Sequence, residues 1–95
     1  MAVYAIAQSR VTNPDQFQHY LAAAGPTLDA HGVKLLALDE AATIIEGESS
    51  YPRLVILEFD STEHFHRWYD SPEYTAARRH RLDAAVGTFM LVQGF

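Results

Sequence analysis

The 95-residue sequence has no cysteine, which excludes a disulfide framework, a thiolate nucleophile and any Cys-based zinc or iron–sulfur centre. Cations are scarce as well: 7 lysines and arginines stand against 12 aspartates and glutamates, for a formal charge of −5. That balance repels a phosphate backbone unless basic residues segregate strongly, so nucleic acid is not an expected partner. No apolar run approaches the ~20 residues of a spanning helix, and no membrane partner is expected. The opening Met1-Ala2-Val3-Tyr4-Ala5-Ile6-Ala7 is apolar but has no basic leader and no cleavage region. It reads as a first strand rather than a signal peptide, and the chain is expected in the cytoplasm. There is no internal repeat or low-complexity tract, and the serines and threonines sit in caps and loops without a phosphate-loop or nucleophile-elbow context.

What remains is an ordinary globular composition, 48% hydrophobic and 20% charged, of a size for one domain spanning residues 1–95 with a thin core. Val3 to Val11 reads as a strand. Asn13-Pro14-Asp15-Gln16 then supplies a cap, a proline at the first helical position and a glutamine at the capping-box position. Phe17, Tyr20, Leu21, Ala24 and Leu28 recur on the helical period. Gly25-Pro26 predicts a kink or break in that helix, and Gly32 its end. Val33 to Leu38 reads as a strand, Asp39 to Ala42 as a bend, and Thr43 to Gly47 as a further extended piece. After a polar loop, Arg53 to Phe59 is nearly continuous apolar sequence, as expected of a strand in the middle of a sheet.

Phe59 to Arg81 is the most informative stretch. Asp60 or Ser61 can cap a short helix, on which Phe65, Trp68 and Tyr69 at i, i+3 and i+4 share one side. Ser71-Pro72 bends the chain and starts another helix. At about 100° per residue, Tyr74, Ala77, Leu82 and Ala85 gather on one side of it, with Arg78 and Arg81 on that same side. A guanidinium on an apolar stripe must snorkel to water, pair with a carboxylate, or face a cavity that accepts an anion. Gly87 is expected to end this helix before a last strand, Thr88 to Phe95.

The order β, α, β, β, α, β, with two helical pieces in the second helical region, is the ferredoxin-like split βαβ arrangement, an α+β fold with helices on one face of an antiparallel sheet. The strands are apolar on both faces, and the chain has no further element to cover the second. An identical copy set sheet to sheet is the economical cover, which predicts a homodimer.

Glu58-Phe59, the segment Trp68-Tyr69-Asp70-Ser71-Pro72-Glu73-Tyr74, Arg81, Glu46-Gly47 and Leu91-Val92-Gln93-Gly94 together resemble the DUF1330 family, within the dimeric α+β barrel superfamily. The resemblance covers essentially the whole chain and implies a ferredoxin-like protomer and a dimer whose stacked sheets enclose an interior. It implies no reaction. Related branches include cofactor-free monooxygenases, haem-degrading enzymes and isomerase-like proteins, and fold kinship does not select among them.

Glu58 interrupts an apolar strand and would be partly desolvated, so it is a candidate base. It is equally a candidate for an ion pair with Arg81 or Arg78. His64 shares a helix face with Trp68 and is the other catalytic candidate. His64 and His66, two residues apart, point about 200° around the helix axis from one another and cannot grip one ion. No metal site and no cofactor are expected. The remaining histidines show no partner in the sequence, and His80 reads as solvated. A small aromatic or carboxylate-bearing ligand would take Arg81 or Arg78 as anion partner, Tyr69 or Tyr74 as hydrogen-bonding groups and Trp68 as wall; any reaction would be cofactor-free proton transfer or oxygenation. The competing expectation is an accessory dimer in which these charges only pin the assembly.

Overall fold

The computed structural model describes residues 2–95; Met1, read above as the head of the first apolar stretch, lies outside the described residues. The elements are β1 (Val3–Val11), α1 (Pro14–Ala30), β2 (Lys34–Asp39), β3 (Arg53–Phe59), α2 (Thr62–Tyr69), α3 (Pro72–Ala84) and β4 (Ala85–Gln93). The four strands form one antiparallel sheet in the order β2-β3-β1-β4, the ferredoxin-like arrangement. β1 and β3 are the two inner strands. None of the helices among the described residues is long and apolar enough to cross a membrane.

Strand alternation assigns the faces. Val3 and Ala5 of β1, Leu57 and Phe59 of β3, and Phe65, Trp68, Tyr74 and Ala77 of the helices form one core cluster, with Phe89 and Leu91 of β4 packed on it. The intervening residues, Tyr4, Ile6, Leu54, Ile56, Glu58, Met90 and Val92, therefore point to the other face. In register, Ile6 lies between Ile56 and Met90. Among the described residues no helix lies over this apolar row, and Met90 and Val92 are exposed. A chain with extents of 34 × 32 × 16 Å is a slab of one sheet and one helix layer.

Of the kink or break that the sequence predicts at Gly25-Pro26, the break does not occur: α1 runs through both residues. Pro26 deprives only the Ala22 carbonyl of its donor, and both residues are on the exposed side, where water replaces the bond. The helix ends at Gly32, whose φ is 65°. Gly32 N–H donates to Asp29 O and Val33 N–H to Leu28 O, at 3.3 and 2.9 Å, a Schellman closure that needs the left-handed glycine.

Other boundaries shift. Thr43 to Gly47 is loop, not strand, because β3 takes only Lys34 to Asp39 as its edge partner. Gly87 does not stop α3, which ends at Ala84; it sits inside β4, opposite Ser9. A Cβ there would lie 1.9 Å from the Gln8 carbonyl oxygen, so close backbone approach selects glycine. Ala85 already belongs to β4, and Leu82 is 67% exposed rather than buried on a helical stripe.

Candidate functional site

β1 presents Ala5, Ala7 and Ser9 to the helix layer, and β4 presents Gly87 beside Ser9. Such small side chains cannot fill the space beneath α1 and α3. The result is a cavity of about 130 Å³ whose lining includes Tyr20, Arg53, Trp68, Tyr74, Arg81 and Phe89. Exposed Leu82, Val86 and Thr88 form its rim.

Arg81 is carried into this space by the helical register of α3, one turn beyond buried Ala77. Its guanidinium lies 5.3 Å from the centre of the Phe89 ring. Its Nε is buried and has no hydrogen-bond partner among the described residues. The residues that line the cavity include no aspartate, glutamate or histidine. Arg53 reaches the same cavity from the start of β3, where the two-residue period puts it on the side of Val55 and Leu57. It is 7% exposed, packs 4.8 Å from the centre of the Phe17 ring, and donates from Nε to Glu40 at 3.2 Å. Of the two cations, Arg53 is compensated and Arg81 is not.

The tyrosines Tyr20 and Tyr74 share a hydrogen bond between their hydroxyls at 2.9 Å. Burial first, and the neighbouring Tyr20 second, push the Tyr74 phenol well above the ordinary tyrosine range, against a smaller opposing pull from Arg81. Tyr74 is therefore a neutral group in the folded chain. Trp68 is 1% exposed and stacks against Tyr74 with ring centres 4.0 Å apart. Its indole N–H donates to Thr27 Oγ1 at 3.0 Å, leaving the ring as wall.

Of the candidates named from sequence, Trp68, Tyr74 and Arg81 come together here. Tyr69 and Arg78 lie alongside and engage each other, the guanidinium 4.2 Å from the ring centre. Neither Glu58 nor His64 lines the cavity. Glu58 points to the open sheet face, where Lys34 approaches its carboxylate at 3.5 Å; the expected ion pair with Arg81 or Arg78 is not formed, because the sheet separates them. His64 is buried at the start of α2 with both ring nitrogens engaged. Its Nδ1 accepts from Asp60 N–H at 3.0 Å and its Nε2–H donates to the His31 carbonyl at 2.6 Å. Ser61 Oγ accepts His64 N–H in return. Ser61, one of the two caps expected from sequence, is thus the cap, and the imidazole satisfies the N–H of Asp60 just before it. His31 and His80, without visible partners in sequence, meet Glu73 and Gln16. The bond from His31 holds the exposed Glu73 carboxyl below its usual value.

Sequence reading passed over Arg53 and Tyr20. A signal for Arg53 existed: on the two-residue period it shares a face with Val55, Leu57 and Phe59, as a charge on the core side of a strand. Tyr20 gave none, since its ring belongs to the apolar stripe of α1 and its partner is 54 residues away.

The model of a family described as "Domain of unknown function (DUF1330)" matches residues 2–95. No curated protein sequence matches. Among solved structures, a protein of unknown function from Rhodopseudomonas palustris, RPA0582, superposes with a TM-score of 0.84 at 16% identity, covering 99% of this chain and 82% of the other. SnoaB, a cofactor-independent oxygenase from Streptomyces nogalater, gives a TM-score of 0.68 at 12% identity, over 99% and 93% of the two chains. A dimeric protein of unknown function with a ferredoxin-like fold from Bacteroides fragilis gives 0.67 at 12% identity, over 98% and 96%. At these identities the likeness shows the fold.

Proposed function

The chain belongs to the DUF1330 family, and from that premise we propose a single-domain, homodimeric binding protein for a small aromatic or carboxylate-bearing molecule. The molecule lies between the helices and the sheet, with Arg81 as its anion partner. One observation carries the reading: Arg81 lines a cavity that no carboxylate lines, and its buried Nε has no hydrogen-bond partner among the described residues. A desolvated cation left without an acceptor is costly, and the charge of an anion bound against the guanidinium offsets part of that cost. A cavity of about 130 Å³ is close in size to the ~150 Å³ apolar cavity that accepts benzene, so one aromatic ring is a reasonable fit. Trp68 and Phe89 are its walls, and Tyr20 and Tyr74 its hydrogen-bonding groups.

Cofactor-free proton transfer or oxygenation is the reaction class that goes with this reading, supported by the similarity to a cofactor-independent oxygenase. The cavity brings a cation for an enolate or phenolate and no carboxylate or imidazole base. The proton of such a molecule would therefore be lost to water, and Arg81 would hold the resulting anion. The homodimer is supported by the uncovered row of Ile6, Ile56 and Met90 and by the dimeric relative of like fold. An accessory dimer would favour a filled interior with every guanidinium paired, and Arg81 departs from that.

Trp68 is the sole tryptophan, so its fluorescence reports on the cavity. Benzoate titrated into the wild type and into Arg81→Met should show affinity lower by at least roughly tenfold in the variant, with sedimentation unchanged. Equal affinities accompanied by loss of the dimer would move Arg81 to a structural role.

A further inference from the structure

A second hollow adjoins the first. Its volume is about 200 Å³, and it shares Tyr20, Arg53, Val55, Leu57 and Trp68 with the Arg81 cavity. The two chambers meet at the Arg53 side chain and the Trp68 indole, but their linings differ in kind. The first holds Arg81 and the tyrosine pair. The second is closed by Leu21, Ala24 and Leu28 of α1 and by Leu35 and Leu38 of the edge strand β2. Those last two leucines are 51% and 48% exposed, apolar groups that border the chamber and are half open to water.

The residue Gly25 points the same way. It follows Leu21 by four positions and precedes Leu28 by three, so all three share a side of α1, and it lines the same chamber. Glycine inside a helix is destabilising relative to alanine. No backbone reason requires it here: its φ is not positive, and an added Cβ would meet no atom within 4 Å. Gly25 is exposed, and an added side chain would start in open space at the border of this hollow.

We propose that the ligand of the Arg81 cavity is amphipathic: an aromatic acid with an apolar substituent, its acid group on Arg81 and its substituent passing Arg53 and Trp68 into the leucine-lined chamber between α1 and β2. This rests on the anion-binding reading above and adds the class of ligand. Arg53, already neutralised by Glu40 and held on Phe17, marks the boundary between the chambers rather than competing for the acid.

Benzoate and 4-butylbenzoate are the probes, with Trp68 fluorescence as the readout. Burial of a butyl chain should make the wild type bind 4-butylbenzoate at least roughly tenfold tighter than benzoate. In Gly25→Leu, where the leucine occupies the chamber, that advantage should fall to within about twofold while benzoate affinity stays unchanged. Leu38→Gln, a change at a half-exposed position, should also lower the advantage and serves as a second variant. An equal affinity for the two probes in the wild type, or an advantage that survives both variants, overturns the proposal. Binding of neither probe by the wild type would defeat the anion-binding reading beneath it as well.

Discussion

At Arg81 the chain keeps a buried donor without a partner among the described residues, and a group held that way costs stability; on the proposed reading it does so in favour of binding an anion. Arg81→Met, which preserves bulk and removes the charge, should raise stability by about 1 kcal/mol, read from urea unfolding; a loss of that size would show that the guanidinium supports the fold. The phenol of Tyr74 gives a second check. The folded chain keeps it protonated, whereas the unfolded chain ionises it near the ordinary value of about 10. Its contribution to stability is whole below that value and is lost as pH rises beyond it. Unfolding measured from about pH 8 to 11 should show a steeper alkaline loss in the wild type than in Tyr74→Phe, and matching slopes would contradict this. The placement of Arg81 on the apolar side of its helix was legible from periodicity. The partner of Glu58 was not, because the sequence does not say which face of β3 the helices cover.

The elements themselves were largely legible, since caps, prolines and periodicity act locally. The misplacements occur where tertiary contacts decide: Pro26 inside α1, the loop at Thr43 to Gly47, and Gly87 within β4. His64 belongs at this scale, because one ring nitrogen ties the start of α2 to the His31 carbonyl at the end of α1 and the other holds the Asp60 N–H just before α2. His64→Ala should cost about 2 kcal/mol in thermal or urea unfolding and leave benzoate affinity unchanged; a change in affinity would bring the imidazole back as a ligand or base. Gly87→Ala forces a methyl group onto the Gln8 carbonyl oxygen and should cost about 2 kcal/mol or more. Gly25→Ala meets no obstacle and should instead stabilise by about 0.5 to 1 kcal/mol.

For the whole molecule, the two sides of one sheet differ. The helix-covered side is hollowed beneath α1 and α3 by Ala7, Ser9 and Gly87, and the bare side carries Ile6, Ile56 and Met90, the face proposed above to meet a second copy. The two apolar faces were legible in the strand sequences, whereas the hollow was not, because it depends on small residues from strands far apart in the chain. Met90→Lys, on the bare side, should shift sedimentation at micromolar concentration toward the single chain without weakening benzoate binding; an unchanged sedimentation coefficient would remove this face from the assembly. The most direct test of the site itself is a crystal structure of the protein grown with benzoate. The expected result is the ring in the cavity beside Trp68 and Phe89, with its carboxylate at hydrogen-bonding distance from the Arg81 guanidinium; an empty cavity, or benzoate bound only elsewhere, would contradict this.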